Sequence, residues 1–269
     1  MSGNAAGPLE RPLRARRDLG YKLIVPYITG GLDDRWVDVV VALAGAGADA
    51  IEVGIPFSDP VMDGPVIQEA SVRALRRNTT PQSIISELAQ LDCGVPLAVM
   101  TYVNLFAHAG FHRMAYSLRD AGVAGVILPD LPIDEAGDWM SEAEGAGIDA
   151  VQLVAPTTPD ERLTRICRAS QGFVYAIGLL GVTGEREELA SSAAVIARRC
   201  KTATSTPVLV GVGVSNPEQA VAICQEADGV VIGSALVRRL LDGEGVEGAT
   251  KFIGEMREVL DRRWPGTRS

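Results

Sequence analysis

The chain is 269 residues long, 47% hydrophobic and 22% charged, which suits one soluble globular domain with a sizeable core. A formal net charge of −9 leaves no general attraction for nucleic acid or anionic membranes, and no apolar run reaches the ~18 residues of a membrane span. A phosphate ligand is not excluded, because backbone N–H groups bind one locally whatever the net charge. The N-terminal stretch, with Arg11, Arg14, Arg16 and Arg17 close to Gly7 and Pro8, lacks the apolar core of a signal peptide. Cys93, Cys167, Cys200 and Cys224 are widely spaced and form no C-x-x-C pair, as suits free thiols of a reducing compartment. The expected location is the cytoplasm.

Residues 1–20 read as an N-terminal extension, a ragged lead-in ending in a short helix. Lys22–Ile28 is the first strand, closed by Thr29-Gly30-Gly31. Asp33 is placed as the cap of a helix running through Ala46, with Trp36, Val39, Val40 and Leu43 in i, i+3, i+4, i+7 order. Asp49–Ile55 is the second strand, helical pattern fills Pro65–Arg76 and Pro81–Leu91, and Pro96–Met100 is the third strand. One helix is expected over about 105–121. The unit then recurs: strand Gly125–Leu128, helix Asp134–Glu144, strand Ala150–Val154, helix Pro159–Ala169, strand Phe173–Ile177. A long Gly/Thr/Glu-rich connection, Gly178–Glu188, precedes a helix near 189–202. Strand Val208–Val210, helix Pro217–Gln225 and strand Gly229–Ile232 follow, then helices Ser234–Leu241 and Glu247–Arg262.

Similar helix–strand joints recur, as in AGAGADAIEVG, RDAGVAGVILP and EGAGIDAVQLV, and the strands are nearly continuous apolar runs of the kind buried on both faces in a parallel sheet. Eight such units predict an α/β protein of the (β/α)₈ TIM-barrel class, with a single barrel domain over residues 21–263 and a C-terminal tail at 264–269. The absence of G-x-G-x-x-G after the first strand weighs against a dinucleotide-binding sheet.

In such a barrel, ligands sit at the C-terminal ends of the strands. The stretch IEVGIPFSDPVMDG (51–64) places a carboxylate, Glu52, inside an apolar strand, where an unpaired charge is costly. A polar loop with a second acid, Asp63, follows it. By alternation Glu52 shares a face with Ala50 and Gly54, whose small size leaves room beside it. The competing reading makes Glu52 half of a structural ion pair and Asp59 and Asp63 turn and cap residues. Tyr102 and Asn104 follow the third strand, Pro129-Asp130 the fourth, and Tyr175 lies within the sixth. Gly213 after the seventh strand, and Gly233-Ser234 opening a helix after the eighth, have the placement of a barrel phosphate cup, with Gly184 near by. Each glycine alone also fits an ordinary turn. His108 and His112 stand at i, i+4 without the H-E-x-x-H pattern and read as a solvated helix face rather than a zinc pair. Nothing suggests a covalent nucleophile.

With IEVGIPFSDPVMDGPVIQ (51–68), GVTG (181–184) and GSA (233–235) in hand, the chain resembles the tryptophan synthase α subunit over about residues 22–260. The resemblance implies an aldolase-like barrel lyase that splits indole-3-glycerol phosphate into indole and glyceraldehyde 3-phosphate, with no metal and no organic cofactor in this chain. It puts the family's catalytic glutamate on Glu52, its aspartate on Asp63 and its active-site tyrosine on Tyr175. It also implies phosphate binding by Gly184, Gly213, Gly233 and Ser234, an indole pocket flanked by Ile24, Tyr102 and Thr183, and a lid over 178–190. A retro-aldol cleavage needs a proton at the indole carbon, which suits a half-buried Glu52 of raised pKa, and an ionised acceptor for the indole N–H, which suits Asp63. The resemblance further implies a β-subunit partner in an αββα complex, facing Asp59, Asn104 and Pro132 and carrying pyridoxal phosphate. Residues 1–20, Met62 beside Asp63, and Gly178-Leu179-Leu180 depart from the family pattern. A stand-alone lyase that releases free indole is therefore carried as an alternative; a non-catalytic sugar-phosphate barrel is opposed by the intact Glu52 and Asp63.

Overall fold

Eight strands, each parallel to its neighbours, close in chain order into a barrel, the (β/α)₈ architecture expected. The structure is a computed structural model that describes residues 6–178, 186–211 and 213–267, with only the backbone of 186–191. The strands are β1 (Leu23–Thr29), β2 (Ile51–Gly54), β3 (Leu97–Met100), β4 (Val123–Ile127), β5 (Asp149–Val154), β6 (Val174–Ile177), β7 (Val208–Gly211) and β8 (Gly229–Ile232). The helices are α1 (Glu10–Asp18), α2 (Trp36–Gly45), α3 (Pro65–Arg76), α4 (Pro81–Leu88), α5 (Val103–Ala109), α6 (Phe111–Asp120), α7 (Gly137–Ala146), α8 (Asp160–Ala169), α9 (Arg186–Ala203), α10 (Pro217–Cys224), α11 (Ser234–Leu241) and α12 (Gly245–Arg263). Among the described residues no helix is long and apolar enough to cross a membrane.

The strands bury both faces, and alternation sorts their side chains into two cores. Leu23, Val25, Ala50, Ala98, Ile127, Val151, Phe173, Leu209 and Val231 fill the barrel interior, while Ile24, Ile28, Ile51, Val53, Val99 and Val210 pack outward against the helices. The N-terminal residues that matched the family pattern poorly form α1, and it closes the floor of the barrel. Leu9, just before it, and Leu13 are fully buried in the interior core. The socket for Leu9 is made by Gly125 and Gly172, where any Cβ would collide with the leucine side chain. Asp149, at the start of β5, accepts the N–H groups of Leu9 (3.0 Å) and Glu10 (2.8 Å) and so fixes the first turn of α1.

Three local expectations change. The single helix over 105–121 is two helices, broken at Gly110, whose φ of 90° is open chiefly to glycine. His108 and His112 therefore lie on different helices, and His112 Nδ1 meets Glu142 Oε2 at 2.9 Å. Asp33 does not cap α2; its carboxylate accepts the N–H of Arg35 at 2.8 Å in a turn, and the helix starts at Trp36. Asp134 also precedes its helix, which begins at Gly137, and pairs instead with Arg162 and Arg165.

Candidate active site

Glu52 lies on β2 with its Cα in register between Tyr27 of β1 and Ala98 of β3. It is fully buried rather than half-buried, and neither carboxylate oxygen has a hydrogen-bond partner among the described residues. The ion pair of the competing reading is thus not formed there. Burial, and then the charge of Asp63, push the Glu52 carboxyl up to about 8. A carboxylic acid in these surroundings keeps its proton at neutral pH.

Asp63 reaches the same space from the loop between β2 and α3. Its backbone N–H closes a turn onto Pro60 O (3.0 Å), and its carbonyl accepts from Gln68 Nε2 (2.9 Å). Tyr102, buried just after β3, holds this loop: its hydroxyl accepts the Met62 N–H at 2.9 Å and hydrogen-bonds the Asp63 carboxylate, while Phe57 stacks on its ring at 5.1 Å. Burial raises the Asp63 carboxyl to about 6, against the lowering effect of the Tyr102 bond. At neutral pH the two acids are therefore split, Glu52 mostly protonated and Asp63 mostly ionised.

Both face a cavity of about 230 Å³ at the C-terminal mouth of the barrel, lined also by Tyr27, Tyr175, Gly211, Gly213, Gly233 and Ser234. Tyr175 points inward from β6, and its ring passes so close to Gly211 that a Cβ there would stand 2.8 Å from the hydroxyl. Burial, then Glu52, raise its phenol, which stays neutral. Gly233 is the N-cap of α11 and Ser234 its first residue; no side chain caps this end. A helix start with no side-chain cap, beside two glycines, has the chemistry that suits an anion.

Six predicted residues thus meet at one cavity: Glu52, Asp63, Tyr175, Gly213, Gly233 and Ser234. Thr183, Gly184 and most of the expected lid lie outside the described residues. Ile24 is a correction. It belongs to the outer core, beneath the helices, because alternation turns Leu23 and Val25 of β1 inward and Ile24 away, while Tyr27 lines the cavity at the mouth. Tyr102 is not among the residues lining the cavity and bears on the site through its hydroxyl bonds to Met62 and Asp63 of the β2–α3 loop. Asp59 and Pro132 are exposed on the loops that follow β2 and β4, and Asn104 is exposed in the first turn of α5, after β3. Beside Asp59, Val61 and Met62 are 80% and 53% exposed. Tyr27 is the residue sequence reasoning missed. The signal was present: an aromatic hydroxyl in an apolar strand, two positions beyond the inward Val25.

A family model described as "Tryptophan synthase alpha chain" matches residues 14–259. The tryptophan synthase alpha chain of Thermobifida fusca is 42% identical over 258 residues, 94% of this chain and 96% of that one. That of Halorhodospira halophila is 43% identical over 247 residues, covering 90% and 89%. Among solved structures, Mycobacterium tuberculosis tryptophan synthase superposes with a TM-score of 0.87 at 37% identity, over 95% of this chain and 98% of that one. Tryptophan synthase subunit alpha from Legionella pneumophila does so with a TM-score of 0.87 at 29% identity, over 96% and 100%.

Proposed function

Because the chain belongs to the tryptophan synthase alpha chain family, a family of lyases that cleave indole-3-glycerol phosphate to indole and glyceraldehyde 3-phosphate in tryptophan biosynthesis, we propose that Glu52, Asp63 and Tyr175 carry out that cleavage in the mouth of the barrel. The observation that supports this most directly is a fully buried carboxyl, Glu52, and a partly buried one, Asp63, facing one cavity, with a glycine-rich helix start on the same cavity.

Protonated Glu52 gives its proton to the indole carbon that bears the glycerol chain. Asp63 accepts a hydrogen bond from the indole N–H and so stabilises the indolenine-like cation. The Glu52 carboxylate then takes the proton of the adjacent glycerol hydroxyl, the carbon–carbon bond breaks, and its electron pair returns to the ring. Indole and an aldehyde, glyceraldehyde 3-phosphate, leave. Tyr175 walls the pocket beside Glu52 and keeps water from it. Gly213, Gly233 and Ser234, with Gly184, hold the phosphate. The chemistry is proton transfer between carboxyls and substrate and calls on no metal or organic cofactor of this chain.

The rim carrying Asp59, Asn104 and Pro132 is the docking face for a tryptophan synthase β subunit in an αββα assembly, and the exposed Val61 and Met62 support this reading. Pyridoxal phosphate belongs to that partner, and the cytoplasm is the compartment. The experiment is indole release from indole-3-glycerol phosphate by the chain alone, with a β subunit, and as Glu52→Gln and Asp63→Asn. Slow release that rises with the β subunit and collapses in both variants is the expected result. Fast release without a partner would instead mark a free-standing lyase, and no release at all would sink the catalytic assignment.

A further inference from the structure

We infer that Tyr27 is a substrate-recognition residue of this cavity, its hydroxyl hydrogen-bonding a hydroxyl of the substrate's three-carbon chain between the phosphate end and Glu52. The inference rests on the lyase reading above and adds to it a group that reads the chain rather than the ring or the phosphate.

Tyr27 stands between the two ends of the site. Toward the anion end, a Cβ on Gly233 would lie 3.7 Å from Tyr27 Cβ. Toward the carboxyl end, Tyr27 is the register partner of Glu52 on the neighbouring strand, and its ring leans over Gly54, where any Cβ would overlap the phenol oxygen. The glycine is what lets the ring tilt this way. A ligand that puts its phosphate at Gly233 and its reacting carbon at Glu52 must lay the connecting chain along this ring. In the substrate that chain carries two hydroxyls.

The phenol is equipped to meet one of them. It is 5% exposed and lines the cavity, and among the described residues its hydroxyl hydrogen-bonds Thr29 Oγ1 alone, at 3.4 Å, with either atom able to donate. That contact is long for O–H···O, whose usual range ends near 3.0 Å. A buried phenol with one weak bond retains capacity to donate to or accept from a ligand. Burial raises its pKa far above its ordinary value, so the donor proton is present throughout the working pH range. A phenylalanine at this position would give the same wall and no such bond.

The test compares the wild-type chain with Tyr27→Phe on two ligands. One is indole-3-glycerol phosphate, followed by kcat/KM. The other is indolepropanol phosphate, which keeps the indole, the three carbons and the phosphate but lacks both chain hydroxyls, followed by Kd in calorimetry. Losing one neutral hydrogen bond predicts a fall in kcat/KM of about five- to tenfold, with the Kd for the hydroxyl-free ligand changed less than about twofold. Equal losses on both ligands would overturn the inference, because the hydroxyl would then serve only to shape the wall. Unchanged kinetics in a cleaving enzyme would also overturn it and leave the lyase reading intact. Failure of the wild type to cleave would sink the lyase reading itself, and this inference with it. Retained binding of indolepropanol phosphate shows that the variant is folded.

Discussion

Glu52 and Asp149 are carboxyls sunk into opposite ends of the same barrel, and their surroundings make them opposites. At the floor, Asp149 is 3% exposed, and one oxygen takes two backbone N–H groups from the first turn of α1. Burial raises it to about 6, and those two bonds hold it from rising further. At the mouth, Glu52 is fully buried, has no partner among the described residues, and is pushed to about 8. Partnered burial makes Asp149 a fastening. Unpartnered burial leaves Glu52 in a costlier place, one that suits the proton-carrying role proposed for it. The fold spends its backbone donors on the floor and leaves the mouth for substrate.

The largest effects follow from removing the titrating groups at the mouth. Glu52→Gln removes the proton carrier while preserving shape, and kcat for indole release is expected to fall about a thousandfold or more. Asp63→Asn removes the charge that stabilises the cation and is expected to cost on the order of a hundred- to thousandfold. The matching floor variant, Asp149→Asn, keeps an acceptor for the α1 N–H groups and should leave kcat within about twofold. A comparable loss in Asp149→Asn would break the distinction between the two ends.

Stability should respond in the reverse pattern. Leu13→Ala empties part of the interior core beneath the barrel and is expected to cost about 2–5 kcal/mol in denaturant unfolding while kcat stays near wild type. Glu52→Gln should do the opposite at neutral pH. Burial, and then the charge of Asp63, raise the folded-state pKa of Glu52 from its ordinary 4.5 to about 8. Its favourable contribution is therefore complete below about pH 4.5 and is lost as pH climbs toward 8, where folding must hold a buried carboxylate. Glutamine does not titrate. The variant should match wild type near pH 4 and exceed it by on the order of 3 kcal/mol at pH 7. A stability gap that is flat across this range would mean that Glu52 is ionised and compensated in the folded chain.

Much of this was legible in the residues, and what was not has identifiable causes. The eight strands are short apolar runs between turn residues, so their places emerged within a residue or two; β8 was read to its observed limits. Glu52 and Asp63 stood out because a charge in such a run is costly, and Gly213, Gly233 and Ser234 because of their positions after β7 and β8. Tyr27 and Tyr175, which line the same cavity as the fully buried Glu52, come from β1 and β6, and local pattern does not bring them together. Ile24, which the resemblance implied beside the indole, lies in the outer core, because alternation along β1 turns Leu23 and Val25 inward and Ile24 away. The break at Gly110 is a matter of one φ angle, which apolar periodicity does not register. The floor helix was obscure for another reason. It offers only Leu9 and Leu13 among arginines, and the socket for Leu9 is built from Gly125 and Gly172, more than a hundred residues away in sequence.

The two ends also differ in what they cover. At the floor, Leu9 and Leu13 are buried within the chain itself, whereas at the mouth Val61 stays 80% exposed two residues after Asp59. An exposed valine contributes little to folding, so Val61→Ser should change stability by less than about 0.5 kcal/mol and leave indole release by the isolated chain unchanged. Burial of that valine against a β subunit would be worth about 1 kcal/mol or slightly more. The variant should therefore need about five- to tenfold more β subunit for half-maximal stimulation. Titration of β subunit into wild type and variant, with indole release as the readout, separates the cases. Superimposable curves would place the partner's contact elsewhere on the rim. A weakened curve with unchanged basal rate would make the mouth loop an adhesive surface as well as the carrier of Asp63, so that docking and catalysis share one segment held in place by Tyr102.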